Sequence, residues 1–245
     1  GRIWTDKTVK AVENGDSDFL TTLSAISSTS DTTVSGKPLD VVLVLDASGS
    51  MNDPMGSGDS TQRIVALKRA ANSFIDTIAT QNEKMDASKQ HQVAIVKFAG
   101  KRSDRVGNDT YRDGGYIYNY SQTMQGLTTC SVDGAESLKK TIDSIAPAGA
   151  THADYGLQLA EGISSNRADA KKVVVFFTDG SPTSTSGFEV EVAKDAINAA
   201  KTIKSGGATI YTIGIFSGAQ PSDNPTSDGT SSENKFMHAV SSNYP

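Results

Sequence analysis

The sequence predicts an α/β protein in which a doubly wound, mostly parallel β-sheet is flanked by helices. Short runs of consecutive apolar residues, such as Val41 to Leu45, suit strands that are buried on both faces. These runs alternate with segments in which apolar residues recur every three or four positions, the spacing of a helix with one apolar face. Alternating strands and helices are typical of a parallel sheet that is covered by helices on both sides.

The individual elements follow in chain order from residue 40. The predicted strands are rich in β-branched and aromatic residues, and they lie at 40–45, 92–99, 173–178 and 208–216. The predicted helices lie at about 60–78, 138–145, 153–163, 190–203 and from about 236 to 240. Pro147 is expected to end the second helix, and Gly206 with Gly207 to end the fourth.

Segment 100–133 fits the alternation poorly, and we predict that it forms a β-hairpin or a long insertion on the surface. It carries four tyrosines among Gly, Asn and Asp residues, namely Tyr111, Tyr116, Tyr118 and Tyr120. Two interpretations of these tyrosines stay open. They pack as cross-strand pairs within a hairpin, or they form an aromatic recognition surface.

The first 36 residues differ from the rest of the chain. Residues 1–10 suit one strand, residues 18–28 suit another strand or a short helix, and the Ser- and Thr-rich stretch 27–33 suits a linker. A segment of this size buries too little apolar surface to form a core of its own. We therefore divide the chain into an extension, 1–36, that belongs to an adjacent domain and a main domain, 37–245.

Composition excludes several classes of function. The 23 Lys and Arg residues against 28 Asp and Glu residues give a net charge of −5, which does not suit a nucleic-acid-binding protein. No apolar run approaches the roughly 20 residues that span a membrane. A lone cysteine excludes cysteine-based zinc and iron–sulfur sites, and the three histidines are widely spaced. Cys130 is expected to be a buried or loop thiol, unless it pairs with a cysteine outside this sequence.

The beginning of the sequence also bears on its origin. The chain starts at Gly1 and carries no signal-peptide pattern, so we expect a fragment or a processed form.

Oxygen-bearing side chains follow the predicted strands where their carboxyl ends meet. Asp46, Ser48 and Ser50 stand directly after the first strand, Thr151 lies in a loop before a helix, and Asp179 ends the strand 173–178. Ligands of open α/β sheets bind at this edge. Hard oxygen donors suit Mg²⁺, Mn²⁺ or Ca²⁺ better than Zn²⁺ or Cu²⁺. The sequence therefore predicts a divalent-cation site, and it contains no Gly-x-x-x-x-Gly-Lys-Ser/Thr phosphate-binding loop.

Structural roles for the same residues stay open beside this prediction. A strand-ending turn uses Asp and Ser as capping residues, Thr151 suits a helix N-cap, and Asp179 suits a turn before Gly180. Loop 52–59 carries further oxygen donors, either as a second cation site or as a solvated loop. His152 is expected at the rim of the site.

The pattern Asp-x-Ser-x-Ser, then Thr, then Asp resembles the metal-ion-dependent adhesion site (MIDAS) of von Willebrand factor A-type (VWA) domains, which have a Rossmann-like fold. Asp46, Ser48, Ser50, Thr151 and Asp179 match it. The resemblance implies that the three hydroxyls contact a divalent cation, usually magnesium, and that both carboxylates act largely through bound water. One coordination position would stay open for a carboxylate of the binding partner.

A narrower resemblance concerns the two ends of the chain. Segments 1–9, 19–28, 37–46 and 236–245 are similar to the head region of Gram-positive surface and pilus-tip adhesins. This resemblance implies that extension 1–36 supplies strands to a β-rich stalk domain. It also implies a location at the cell wall or pilus tip, a role in virulence, other pilus subunits as partners in the full-length protein, and an extracellular protein or glycan as ligand.

Three functions compete at this stage. The favoured one is a metal-ion-dependent adhesion domain of a bacterial surface adhesin. An enzyme that forms a phosphoaspartate at Asp46 would need a second carboxylate as general acid two residues later, where Ser48 stands, so we predict no enzyme. The third is an intracellular VWA domain that mediates contacts in an ATP-driven assembly, which the stalk-like N-terminus disfavours.

Overall fold

The computed structural model describes most of the chain, although not every residue. The described residues are 4–10, 20–26, 37–56, 58–100, 104, 106–107, 111–113, 116–118, 120–216, 219 and 230–242. The predicted linker 27–33 lies outside them, as do the side chains of three of the four tyrosines in segment 100–133.

In chain order, the strands within the described residues begin with a pair near the N-terminus. They are β1 Trp4–Lys10, β2 Leu20–Ile26, β3 Leu39–Asp46, β4 Pro54–Gly56, β5 Asp59–Gln62, β6 Gln92–Phe98, β7 Tyr111–Asp113, β8 Tyr116–Tyr118, β9 Gln122–Thr129, β10 Lys171–Thr178 and β11 Thr209–Gly214. The helices are α1 Arg63–Asn82, α2 Val132–Asp143, α3 Ala153–Gly162, α4 Val190–Ser205 and α5 Ser232–Val240. Every strand and helix predicted from residue 40 onwards is present, with bounds that differ by at most six residues.

The main sheet confirms the predicted fold class. Its five strands have the order β11-β10-β3-β6-β9, in which neighbours from β11 to β6 are parallel and β9 is antiparallel. Strand β3 lies at the centre, and its residues 41–45 are at most 1% exposed. A central strand in a covered parallel sheet is buried on both faces, which explains its continuous apolar run.

Helices cover the two faces of this sheet. Val41, Leu43 and Leu45 of β3 belong to one core cluster, which includes the apolar sides of α1 and α2. Val42 and Val44 belong to the other cluster, which includes residues of α3, α4 and α5. Because successive side chains of a strand point to opposite faces, a single strand contributes to both cores.

Segment 100–133 is more structured than its sequence indicates. Strand β9 lies within it and forms the edge of the main sheet, paired with β6. Strands β7 and β8 form an antiparallel hairpin, as predicted. The part of this segment that stands outside the main sheet therefore ends before Gln122. Loop 52–59 likewise contributes to a small hairpin of β4 and β5.

Three further expectations concern the N-terminus, the cysteine and membranes. Strands β1 and β2 pair in antiparallel register, Trp4 with Ile26, so the strand alternative is confirmed for the second element. Cys130 is a free, fully buried thiol whose Sγ donates to the carbonyl of Ile75 at 3.4 Å. Among the described residues, no helix has the length and apolar content needed to cross a membrane.

Candidate metal centre

Asp46 is fixed at the carboxyl end of β3 by hydrogen bonds from two strands. Its Oδ1 accepts from the backbone N–H of Ser48 at 2.8 Å. Its Oδ2 accepts from Thr178 Oγ1 at 2.7 Å and from the backbone N–H of Asp179 at 3.3 Å. The side chain is completely buried. Asp46 therefore joins the first loop of the candidate site to the end of β10, where Asp179 stands.

The two serines of the first loop converge on one point. A short 3₁₀ turn, Gly49–Asn52, follows Ser48 and turns the chain back on itself. The hydroxyl oxygens of Ser48 and Ser50 lie 3.1 Å apart. Two hydroxyls at this distance can face a single cation, as the predicted motif requires.

Backbone hydrogen bonds hold the second loop against the first. Ala148 N donates to Ala47 O at 2.8 Å, and Gly49 N donates to Gly149 O at 2.9 Å. Gly149 has a φ of 82°, a left-handed conformation that favours glycine. A Cβ at this position would also overlap the carbonyl oxygen of Gly100. Glycine thus permits the close approach that brings Thr151 towards the serines.

The third loop is attached to the second by a pair of backbone hydrogen bonds. Thr151 and Thr183 exchange N–H···O bonds of 3.0 Å in both directions. Thr151 is 4% exposed, and the side chain of Asp179 is also 4% exposed. All three predicted loops therefore meet at one edge of the sheet.

A polar cleft of about 290 Å³ opens between these loops. Three of the five predicted residues, Ser50, Thr151 and Asp179, line it. Asp46 and Ser48 are buried behind its surface. Its other lining residues are mostly hydroxyl-bearing or small: Arg63, Gly149, Ala150, Ser181, Thr183, Thr185, Ser186 and Gly187.

The two aspartates of this edge differ in their charged partners. Burial first and the nearby charge of Asp179 second together raise the pKa of Asp46 to about 7, against the hydrogen bonds from Ser48 and Thr178, which lower it. Within the described part of the chain, no Lys, Arg or His forms an ion pair with Asp46. Asp179 does have a basic partner, since Arg63 Nη1 lies 3.0 Å from its Oδ2.

The donor set fits a hard divalent cation. Two carboxylates and three hydroxyls share this edge, and a cation among them would stabilise the charged form of Asp46, which burial disfavours. Within the described ranges, no three His, Cys, Asp or Glu side chains are grouped so as to hold a metal. A cation here would therefore depend on hydroxyl oxygens, which suit magnesium better than zinc.

Two residues that shape the cleft were not predicted from the sequence. Arg63 looks like an ordinary helix residue, and no local pattern links it to Asp179. Glu189 accepts hydrogen bonds from Thr183 Oγ1 at 3.0 Å and from Ser184 Oγ at 2.7 Å, among others in this loop. These bonds lower the pKa of Glu189 to about 2. The run of Ser and Thr residues after Asp179 in the sequence could have indicated that hydroxyls line this side of the cleft.

His152 does not line the cleft, although it was expected at the rim. Its Nδ1 lies 3.1 Å from Asp154 Oδ1, and its Nε2 lies 3.3 Å from Asp104 Oδ2. Its ring stacks on Tyr155 with centroids 4.2 Å apart. Burial acts to lower the pKa of His152, but the hydrogen bond and charge of Asp154 together with the charge of Asp104 raise it overall. His152 thus links the second loop to Asp104.

For loop 52–59 both interpretations, a second cation site and a solvated loop, stay untested, with the solvated loop favoured. Asp59 Oδ1 accepts from the backbone N–H of Thr61 at 2.8 Å, as a turn residue does. Asp53 Oδ2 lies 4.0 Å from Arg63 Nη1.

The chain matches one known protein family over most of its length. A profile of the von Willebrand factor type A domain matches residues 40–243. Among curated proteins, no match to this chain was found.

Several solved structures share the fold. The pilus adhesin SpaC from Lactobacillus rhamnosus GG superposes with a TM-score of 0.55 at 17% identity, over 86% of this chain and 28% of SpaC. The D319A mutant of the PilB minor pilin from Streptococcus sanguinis superposes with a TM-score of 0.57 at 15% identity, over 87% of this chain and 56% of PilB. The vWF domain of the type V pili tip protein Mfa5 from Porphyromonas gingivalis superposes with a TM-score of 0.56 at 14% identity, over 85% of this chain and 88% of that domain. At these identities the likeness is one of fold.

Proposed function

Because the chain belongs to the von Willebrand factor type A domain family, we propose that it is a metal-ion-dependent adhesion domain of a bacterial surface or pilus-tip adhesin. The observation that carries this proposal is the convergence of three loops on one polar cleft. There the Ser48 and Ser50 hydroxyls lie 3.1 Å apart, beside a buried Asp46 that has no basic partner among the described residues.

The proposal assigns each of the five side chains a role toward the cation. The hydroxyls of Ser48, Ser50 and Thr151 would hold it directly, while Asp46 and Asp179 would balance its charge. Mg²⁺ is the favoured ion, with Mn²⁺ and Ca²⁺ as alternatives of the same oxygen-binding class. A bound divalent cation would supply an electrophilic centre that attracts a carboxylate.

The ligand would be an extracellular protein or glycan that presents such a carboxylate. The hydroxyl-rich wall of the cleft supports a polar ligand, because hydroxyls both donate and accept hydrogen bonds. SpaC is named a pilus adhesin and Mfa5 a pili tip protein, which supports a similar placement for this chain. We therefore propose a site at the cell wall or pilus tip of a Gram-positive bacterium, with other pilus subunits as neighbours.

The proposal includes the arrangement of the domains and the absence of enzymatic activity. Residues 37–245 would form the adhesion domain, and the hairpin of β1 and β2 would belong to an adjacent stalk domain. Ser48 stands where a phosphate-transferring aspartate would need its acid, and Asp179 is engaged by Arg63. The site is thus suited to holding a ligand rather than to cleaving one.

Adhesion assays test this function. The chain would be applied to immobilised collagen, fibrinogen and fibronectin in Mg²⁺ and in EDTA. The variant Ser48→Ala removes one hydroxyl of the site, and Ser73→Ala removes an exposed hydroxyl from α1 as a matched control. We expect EDTA and Ser48→Ala each to lower binding at least tenfold, with Ser73→Ala unchanged. Binding that survives both chelation and Ser48→Ala would contradict the proposal.

A further inference from the structure

Arg63 is a cationic side chain inside the candidate cation site. It is the first residue of α1, and it lines the cleft together with Ser50 and Thr151. Its Nη1 lies 3.0 Å from Asp179 Oδ2 and donates to the backbone carbonyl of Ser50 at 3.4 Å. The guanidinium of Arg63 thus forms an ion pair with Asp179, one of the two carboxylates in the five-residue set.

The place of Arg63 in its own helix does not favour a positive charge. The amino-terminal end of a helix carries a partial positive charge, which favours acidic residues in the first turn. The first turn of α1 contains no acidic residue, and Arg63 stands there instead. Its Nε is buried and makes no hydrogen bond with any described residue. The contacts that support this arginine therefore come from the site, and a local conflict of this kind is typical of functional positions.

We propose that Arg63 is a resident counter-ion of the cation site, which a divalent cation must displace from Asp179 and which thereby weakens cation affinity. This inference rests on the proposed function. A divalent cation and a guanidinium near the same carboxylate repel each other, and the partly buried cleft screens this repulsion less than bulk water does.

The arginine also has room to move. Its side chain is 21% exposed, so part of it is in contact with solvent. The carboxylate of Asp53 lies 4.0 Å away and is 63% exposed, which offers a second resting place outside the five-residue set. Displacement therefore requires a change in side-chain rotamer and no unfolding of α1.

Calorimetric titration with MgCl₂ tests the inference. Arg63→Gln removes the charge and keeps a polar side chain, while Arg63→Lys keeps the charge. Arg69→Gln removes the same charge from an exposed position on the same helix and serves as the matched control. We expect Arg63→Gln to bind Mg²⁺ at least tenfold more tightly than the wild type, and Arg69→Gln and Arg63→Lys to stay within threefold of it.

Thermal unfolding in EDTA provides a second readout, which also shows that each variant folds. Arg63→Gln should lower the midpoint in EDTA, because Asp179 loses its partner, and this deficit should disappear in saturating Mg²⁺. If the wild type binds Mg²⁺ and Arg63→Gln binds it equally or more weakly, the inference is wrong while the proposed function stands. If neither protein binds Mg²⁺, Mn²⁺ or Ca²⁺, the proposed function fails, and the inference fails with it.

Discussion

Two buried aspartates at opposite ends of the same strand meet different surroundings. Asp40 lies near the beginning of β3 and is 1% exposed, and Asp46 ends the strand and is fully buried. Asp40 forms an ion pair with Arg167. Asp46 receives only hydrogen bonds from neutral groups, and Asp179, the charged group that acts on its pKa, has the same sign.

The amino end of the sheet supplies its own compensation. Besides pairing with Asp40, Arg167 donates to the carbonyl of Gln90 at 2.6 Å and to that of Leu39 at 3.1 Å. Arg167 neutralises the charge of Asp40, but the Oδ2 atom of Asp40 accepts no hydrogen bond from the described residues.

A second set of contacts closes the same end. Asn82 Nδ2 donates to the carbonyls of His91 and Cys130 at 2.9 and 3.1 Å, and Asn82 Oδ1 accepts from His91 N at 2.7 Å. The Nδ1 of His91 accepts from Leu39 N at 3.0 Å.

The difference between the two ends teaches where an external ion is needed. A buried charge without a partner is strongly destabilising, so a protein pairs it, neutralises it or binds a counter-ion. One end of β3 has an internal partner for its aspartate. Under the proposed function, the other end leaves this role to a cation, and without the cation the raised pKa of Asp46 favours its neutral form.

Breaking the internal pair should produce the largest effect. Arg167→Met leaves Asp40 buried without a counter-charge, and we expect the free energy of unfolding to fall by about 3 kcal/mol. Urea unfolding in EDTA and in Mg²⁺ measures it, with Lys171→Met as an exposed control. The loss should be the same in both buffers, because Arg167 contacts the amino end of the sheet. A loss below about 1 kcal/mol would show that the pair is not needed.

Removing the charge at the other end should have a smaller and different effect. Asp46→Asn keeps the shape of the side chain and removes the buried ionisable group. Its amide nitrogen cannot accept the hydrogen bonds that one carboxylate oxygen accepts, which costs about 1 kcal/mol and offsets part of the gain from removing the charge. In EDTA we expect the free energy of unfolding to stay within about 1 kcal/mol of the wild type or to rise.

Mg²⁺ then distinguishes the two proteins. Excess Mg²⁺ should stabilise the wild type, by about 2.7 kcal/mol at 100 times the dissociation constant, and leave Asp46→Asn unchanged. A variant that loses more than about 2 kcal/mol in EDTA would mean that the charged Asp46 is structural, and the contrast between the two ends would disappear.

The smallest expected effect is a pH dependence of the closed end. Burial and, after it, the charge of Arg167 lower the pKa of His91 below its usual 6.5, while Asp40 acts in the opposite direction. The unfolded chain therefore takes up a proton at higher pH than the folded chain does. Stability is fully present above pH 6.5 and declines as the pH falls from there towards the lower pKa of the folded state.

His91→Gln provides the comparison for this pH dependence. Unfolding midpoints between pH 7.5 and pH 5 should fall more steeply for the wild type than for His91→Gln. Parallel curves would show that His91 does not contribute to the pH dependence of stability.

The sequence predicts the sheet well where its strands are buried on both faces. Strands β3 and β10 carry continuous apolar runs because helices cover both sides. Strand β9 gives no such signal, because it is a half-exposed edge strand with Gly126 in its middle. Its place in the sheet depends on pairing with β6, a tertiary contact that the local pattern does not contain.

The candidate site shows the same division. Its five oxygen donors were predicted because each follows a recognisable strand or precedes a helix, and the structure brings their loops together. Arg63 and Asp179 are 116 positions apart, and Arg167 and Asp40 are 127 apart. No periodicity or motif marks either pair, so both ion pairs become visible only in the folded chain.

A crystal structure in MnCl₂, with anomalous data that locate manganese, tests the central claim most directly. We predict one strong anomalous peak among the hydroxyls of Ser48, Ser50 and Thr151, with Arg63 withdrawn from Asp179. The peak should be absent in crystals of Asp46→Asn. A peak at another position, or none between the three loops, would contradict a cation site at this end of β3.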